Sequence, residues 1–308
     1  MTNPRLSWDL ARDVSALFEY QFMVNALQAG TIVAVMAGAV GWYMVLRRQS
    51  FAGHTIAVMS FPGAAGAALA GAPAALGYYL ACAIAALSIG QAGGSARDAR
   101  GGESARIAVV QVAGLALGFL FLSLYSGVLE QLETLLFGTF LGIDRRQVLT
   151  LLIVAVVVLA TLVLVGRPLL LSSLDPQAAR ARGVPVRALD VGFLLLLGLA
   201  VAATSQITGA LLVFALLVAP PAAAQALTPR PGLSLLLSVA FALLVVWVGL
   251  GISYYSIYPL GFFVTSLGFG VYLLAQLARR TRVRARRHEG GSGLGGVGVP
   301  EPEPGAAA

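Results

Sequence analysis

Lysine is absent from this sequence, and all 20 of its basic residues are arginine. A phosphate-binding loop of the GxxxxGK[ST] type needs a lysine, so the chain cannot hydrolyse ATP through such a site. Cysteine is nearly absent as well, and the single Cys82 excludes a disulfide framework or a thiolate metal cluster. Charged residues make up only 11% of the chain. Because soluble proteins carry roughly 25% charged residues, a soluble domain of this length is excluded.

The residues present are mostly apolar: 58% are hydrophobic, and the mean hydropathy is +0.87. Nine segments approach the length of about 20 apolar residues that crosses a bilayer. They are 20–46, 53–71, 74–92, 107–127, 147–166, 190–207, 209–227, 232–252 and 260–278. We therefore predict an all-α polytopic membrane protein with about nine transmembrane helices. Residues 1–17 form an outer N-terminal segment, 18–278 the transmembrane domain, and 279–308 a basic and then disordered tail.

Arginine positions predict the orientation, since short arginine-rich loops stay in the cytoplasm. Most arginines outside the spans fall on one side if the N-terminus is outside and the C-terminus cytoplasmic. One cluster of loop arginines falls on the outer side: Arg145 and Arg146, which Glu133 and Asp144 partly balance. The basic excess indicates orientation and contact with the lipid bilayer, and no nucleic acid is expected as a partner.

Two shorter segments are predicted to lie outside the spans. Segment 175–187 has a helix-capping Asp175, Pro176 for the first helical position and Gly183 for a left-handed stop, which together predict a two-turn cytoplasmic helix. Segment 132–143 is too short to cross and too apolar for a free loop. We expect it to form a short helix packed across the outer mouth of the bundle.

His54 lies in a membrane segment broken by Pro62 and Gly63, and a histidine inside a membrane by default marks a functional site. Neutral imidazole binds Zn²⁺, Mn²⁺ or Fe²⁺, so His54 is a candidate metal ligand; a structural or interfacial role is the alternative. Glu19 is a second candidate, or else a solvated interfacial carboxylate. Glu130 and Glu133 are further candidate ligands with the same alternative as Glu19, and Gln206 is another candidate.

Several segments together resemble the membrane permease subunits of the ABC-3 type, which import zinc, manganese or iron. The matching segments are LRRQSFAGHTIAVMSFPGAAGA, ESARIAVVQ, LLFGTFLGI, RPLLLSSLDPQAARARGVPVRALD, ITGALLVFALLVAPPAAA and SYYSIYPLGFFV. The resemblance implies a bacterial plasma-membrane protein that pairs with a second permease copy. It also implies cytoplasmic ATPase subunits that bind ATP and an extracytoplasmic metal-binding protein, with no cofactor on this chain.

The resemblance also implies residue roles. Segment 175–187 looks like the coupling helix that docks in a cleft of the ATPase, and its matched positions are Asp175, Ala178, Ala179 and Gly183. Arg180 and Arg182 either pair with acidic groups of the ATPase or only anchor the loop inside. The late helix carries Gly209, Pro220 and Pro221, which either form a gate that offers carbonyl oxygens to an ion or serve packing alone. Pro62 and Gly63 belong to the same expected pathway.

The metal chemistry departs from the family pattern. Many members carry an aspartate and, four residues later, a histidine, whereas here His54 and Val58 stand at these positions. Imidazole in place of carboxylate favours zinc over manganese. Manganese, iron, or a larger iron chelate or cobalamin remain alternatives.

Two other classes of protein are disfavoured. An ATP-independent secondary transporter would show inverted repeats and charged residues at mid-membrane. An intramembrane enzyme would carry HExxH, paired membrane aspartates, or a serine with a histidine base.

Overall fold

The computed structural model describes residues 18–92, 102–124, 142–256 and 258–291, and within these ranges the regular structure is helical. The helices are α1 (Gln21–Leu46), α2 (Ser50–Leu69), α3 (Ala74–Ala92), α4 (Gly102–Leu124), α5 (Arg145–Leu174), α6 (Pro176–Ala181), α7 (Val186–Thr208), α8 (Ala210–Leu227), α9 (Pro231–Tyr254) and α10 (Leu260–Gly291). All except α6 correspond to predicted apolar segments. The all-α prediction is confirmed for the described residues.

Seven of the described helices are long and apolar enough to cross a membrane, as judged by length and composition. The other two long helices are α2, which is rich in glycine and alanine, and α8, whose apolar part Leu212–Leu227 is shorter. The count of nine crossings therefore stays a prediction.

Helix α1 is the centre of the bundle, since 72% of the residues in its most apolar stretch are buried inside the protein, against 11% for α4 and 17% for α10. It packs on α9, α8, α5 and α7. Glycines allow the closest approaches, because they have no side chain to hold the backbones apart. Such close packing replaces apolar burial as the driving force for helix association in lipid. A Cβ added at Gly41 would lie 2.3 Å from the carbonyl oxygen of Leu217 in α8, and one at Gly38 would lie 2.8 Å from Cα of Val239 in α9.

Buried polar side chains join the same three helices. Trp42 Nε1 in α1 donates to Ser234 Oγ in α9 at 2.9 Å. Ser238 Oγ in α9 donates to the Gly38 carbonyl oxygen at 2.7 Å. Gln225 Nε2 in α8 donates to the Trp42 carbonyl oxygen at 2.8 Å. These bonds fix the positions of α8 and α9 along α1.

Some helices are longer than the apolar segments that predicted them. Helix α5 continues through Pro168 to Leu174, although its apolar segment ended at 166. Helix α10 continues to Gly291 and so includes the basic stretch 279–287 that was assigned to the tail. Apolar composition marks the part of a helix that fits a bilayer, whereas backbone hydrogen bonds carry the helix beyond it. Two terminal segments lie outside the described residues: 1–17 and 292–308. So does the expected outer helix 132–143, apart from Gly142 and Ile143.

Candidate functional site

Helix α6 is a short helix with defined caps at both ends. The Asp175 side chain accepts hydrogen bonds from the backbone N–H groups of Gln177 at 3.0 Å and Ala178 at 2.9 Å. Pro176 occupies the first turn, where a missing N–H does no harm. Gly183 has φ 75°, the left-handed conformation that ends a helix most easily at glycine. The sequence prediction of the helix and its caps agrees with this geometry.

Helix α6 is joined to its neighbours almost without a linker. Asp175 is both the C-cap of α5 and the N-cap of α6, and its N–H donates to the Leu171 carbonyl oxygen at 2.9 Å. On the other side, Val184 N–H donates to the Ala179 carbonyl oxygen at 3.0 Å, and α7 begins at Val186. Displacement of α6 therefore has to move the adjacent ends of α5 and α7.

The two alanines expected to dock an ATPase differ in exposure. Ala179 is completely buried, so its side chain packs α6 onto the bundle and does not belong to a docking face. Ala178 is half-buried, whereas Arg180, Arg182 and Gly183 are exposed. The exposed surface of α6 thus consists of Pro176, Gln177, Arg180 and Ala181, and Arg182 and Gly183 extend it just beyond the end of the helix.

His54 lies one turn into α2, and its imidazole ring contacts Phe214 of α8 with 4.6 Å between ring centroids. Its Nδ1 atom is buried without a hydrogen-bond partner; among the described side chains, Ser205 Oγ is in the same situation. An unpaired buried nitrogen is unfavourable, so it marks a place where a ligand, ion or water can bind. Val58, the other position of the altered motif, follows one turn later in the same continuous helix.

The candidate ligands do not come together. Glu19 is exposed and precedes α1. His54 lies near the opposite end of α1, because a Cβ added at its neighbour Gly53 would meet Met44 Sδ. The stretch of α1 from Gln21 to Met44 is about 35 Å long at 1.5 Å per residue, so Glu19 and His54 cannot bind one ion. In the described part of the chain, no group of three His, Cys, Asp or Glu side chains could hold a metal ion.

The remaining candidate ligands have other situations. Gln206 Nε2 donates to the Ala202 carbonyl oxygen at 3.2 Å. Its amide is therefore engaged within the bundle. Glu130 and Glu133 lie outside the described residues.

Pro62 and Gly63 are at helix contacts. A Cβ added at Gly63 would lie 2.3 Å from the carbonyl oxygen of Gly77 in α3. A Cβ added at Gly118 in α4 would lie 3.1 Å from Cα of Pro62. Both residues therefore pack α2 against its neighbours, and their expected place along the pathway stays a prediction.

Gly209 breaks the chain between α7 and α8 with φ 75° and ψ 159°, a conformation that favours glycine. Pro220 and Pro221 lie inside α8 and are buried. Because Pro221 has no N–H, the Leu217 carbonyl oxygen loses its helical donor. This oxygen faces Gly41 of α1 at the close approach described above, which favours the packing alternative over an oxygen offered to an ion.

Comparison with families of known proteins gives a match to the ABC 3 transport family over residues 19–279. The chain belongs to the ABC 3 transport family. The match includes α1 to α9 and most of α10, so the family assignment applies to the whole helical bundle and not to one motif. The resemblance inferred from the sequence is confirmed.

Individual ABC 3 relatives are named for two metals. The chain is 32% identical over 241 residues to the manganese transport system membrane protein MntC of Halalkalibacterium halodurans, covering 78% of this chain and 80% of the relative. It is 30% identical over 278 residues to the chelated iron transport system membrane protein YfeC of Yersinia pestis, covering 88% and 93%. Among solved structures, PsaBC from Streptococcus pneumoniae in complex with Fab superimposes with a TM-score of 0.76 at 26% identity, covering 86% of this chain and 95% of that chain.

Sequence reasoning missed one polar contact beside α6 in this ABC 3 family member. Arg47, one of the arginines whose positions predict the orientation, forms an ion pair with Asp190 in the second turn of α7. The available signal was Asp190 itself, because a carboxylate at the start of an apolar helix is rare and usually has a partner. Phe214, the aromatic neighbour of His54, had no distinguishing sequence signal.

Proposed function

We propose that this chain is the transmembrane permease subunit of an ATP-driven importer of divalent metal ions. Its ATP is hydrolysed on a separate subunit, which contacts the exposed face of α6. The observation that carries this proposal is α6 itself: a capped polar helix, joined without slack to two long apolar helices, in a member of the ABC 3 transport family. Such an element is suited to convert a push from outside the membrane into movement of α5 and α7.

The proposed architecture has nine membrane crossings in the bacterial plasma membrane, with the N-terminus outside and the C-terminus in the cytoplasm. A crossing by α2 is reasonable despite its low hydropathy, because most of its side chains are buried against other helices. Two copies of the chain would pair around the ion pathway. An extracytoplasmic binding protein would deliver the metal ion to the outer mouth.

The proposed cargo is a first-row divalent transition-metal ion, with manganese as the first candidate and iron as the second. The names of MntC and YfeC support this order. Zinc has the support of the imidazole at His54 alone, since nitrogen ligands suit Zn²⁺ better than Mn²⁺. His54 is proposed to contact the ion during passage through its unpaired Nδ1, with further ligands supplied by water or the second copy.

Metal uptake by liposomes that contain the complete transporter tests the importer and the role of His54 separately. Wild-type uptake of Mn²⁺, Fe²⁺ and Zn²⁺ is measured with and without ATP, and His54→Ala is compared with Ser60→Ala, which removes a buried hydroxyl of α2 that already donates to the Ala57 carbonyl oxygen. We expect His54→Ala to lower uptake about tenfold or more, as loss of a metal-interacting group does, and Ser60→Ala to leave it unchanged. Normal uptake by His54→Ala would remove His54 from the pathway. Wild-type liposomes without ATP-dependent uptake of any of the three ions would refute the importer.

Co-purification tests the docking face of α6. Reversing the charges of Arg180 and Arg182 to glutamate should release the ATPase subunit from the permease. The matched control is Arg230→Glu, an exposed arginine at the start of α9. An intact complex in the Arg180 and Arg182 variant would show that these side chains only anchor the loop.

A further inference from the structure

Arg47 is a charged residue with an almost completely buried side chain, which is only 7% exposed. It lies in the three-residue link between α1 and α2 and forms an ion pair with the Asp190 carboxylate. Its guanidinium also donates to Ser173 Oγ at 3.0 Å, to Ser172 Oγ at 3.4 Å and to Gln49 Oε1 at 3.3 Å. A buried charge is tolerated only when it is paired and hydrogen-bonded in this way.

The partners of Arg47 belong to the two helices that flank α6. Ser172 and Ser173 are in the last turn of α5, whereas Asp190 is in the second turn of α7. The Arg47 guanidinium also lies over the Phe193 ring of α7, 5.4 Å from its centroid. The Arg47 side chain therefore joins the end of α5 and the start of α7, on either side of α6, to the link between α1 and α2.

The packing of α5 against α7 next to this contact is incomplete. A partly open apolar groove of about 210 Å³ lies between the two helices and is lined by Leu169, Leu189 and Phe193 among others. The apolar surfaces of α5 and α7 do not close against each other along this groove, so the polar contacts of Arg47 carry more of the connection.

The link that carries Arg47 transmits force to α2 because it is short and hydrogen-bonded. Arg47 N–H donates to the Tyr43 carbonyl oxygen, and Gln49 N–H donates to that of Met44. Arg48 has φ 57°, a left-handed conformation uncommon for arginine that turns the chain directly into α2. His54 follows within the first two turns of α2. A displacement of Arg47 therefore has to move the part of α2 that carries His54.

We propose that the ion pair of Arg47 with Asp190 is a positioning contact that couples movement of α6 to α2. When the ATPase displaces α6, the ends of α5 and α7 move, and the buried guanidinium makes the α1–α2 link follow. Arg47 touches neither nucleotide nor ion in this role. The proposal rests on the proposed function, because it needs an ATPase that presses on α6.

The test uses the complete transporter in liposomes, with its ATPase and metal-binding protein. Three quantities are measured: basal ATPase activity, its stimulation by metal-loaded binding protein, and uptake of the ion that the wild type transports best among Mn²⁺, Fe²⁺ and Zn²⁺. In Arg47→Gln and in Asp190→Asn we expect stimulation and uptake to fall about tenfold while basal activity is kept, the size of a typical coupling between sites. The double variant should be no worse than either single variant, because both remove the same contact. Arg47→Lys should recover part of the coupling, and Arg230→Gln should match the wild type.

Each other result has a definite meaning. Stimulation and uptake within a factor of about two of wild type in Arg47→Gln, in an assembled complex, would overturn the positioning role. Basal and stimulated activity falling in parallel with the melting temperature would also overturn it, since that pattern is expected of a structural contact alone. If Arg47→Gln does not assemble, Asp190→Asn decides, because it keeps Arg47 and its serine contacts. A wild-type complex with no ATP-dependent uptake of Mn²⁺, Fe²⁺ or Zn²⁺ would instead refute the proposed function, and the coupling role with it.

Discussion

The close approach of α1 and α8 at Gly41 predicts that Gly41→Ala destabilises the bundle strongly. The added Cβ would lie 2.3 Å from the Leu217 carbonyl oxygen and 3.0 Å from Leu217 Cα. Real Cβ atoms keep at least 3.0 Å, so the two backbones have to separate by 0.7 Å or more (3.0 minus 2.3). Both atoms opposing the Cβ are backbone atoms, so no side-chain rotation can relieve the contact.

Separation of these two helices has a definite energetic consequence. Moving α1 away from α8 stretches the hydrogen bond from Gln225 Nε2 to the Trp42 carbonyl oxygen, which is 2.8 Å long. Overpacking of a well-packed interior costs about 3 kcal/mol at its upper range. At about 2 °C per kcal/mol for a chain of this size, the melting temperature should fall by about 6 °C.

Thermal melting of the purified permease, followed by size-exclusion chromatography of heated samples, measures this change. Gly270→Ala is the matched control, because this helical glycine has no neighbouring atom within 4 Å of an added Cβ. It should keep or raise the melting temperature, since alanine is the better helix former. If Gly41→Ala melts together with Gly270→Ala, the helices are not in the described contact and the reasoning fails.

Two further predictions concern the caps of α6, and limited trypsin cleavage after its exposed arginines measures both. Asp175→Ala removes two cap hydrogen bonds of 2.9 and 3.0 Å, so a loss of about 1 kcal/mol should speed cleavage about fivefold, while Asp175→Asn should stay near wild type. Gly183→Ala forces a φ of 75° with no neighbour within 4 Å, so strain alone should weaken the turn by about 1 kcal/mol. Gly192→Ala, a helical glycine equally free of neighbours, is its control; equal cleavage of these two glycine variants would contradict the strain argument.

The helices were predictable where composition alone determines them. Each apolar run gave a helix because a segment in lipid has to satisfy its backbone hydrogen bonds internally. The cap residues Asp175 and Gly183 predicted α6, because they satisfy the free backbone groups at the two ends of a helix locally. Helix ends were less predictable: the apolar segment ends at 166, yet α5 continues to Leu174.

The candidate site was predictable only in its local parts. Contacts such as Arg47 with Asp190 are separated by 143 residues in the chain, and nothing in either neighbourhood specifies the other. The burial of Ala179 could not be anticipated either, because a helix of six residues carries too little sequence to define which face packs inward. Pairs of this kind are set by how the helices cross, which depends on small-residue contacts distributed over the whole bundle.

The buried position of Cys82 makes the native chain convenient for spectroscopic labelling. Its thiol is completely buried and directed at the Ile56 carbonyl oxygen, 3.5 Å away, inside the contact of α2 with α3. Since the chain has one cysteine and no lysine, thiol-reactive and amine-reactive probes find no exposed side-chain target in the native bundle apart from residues added on purpose. A cysteine introduced at an exposed residue such as Arg182 would therefore carry a spin label or a fluorophore alone, and its distance to a second introduced probe could be followed through the transport cycle.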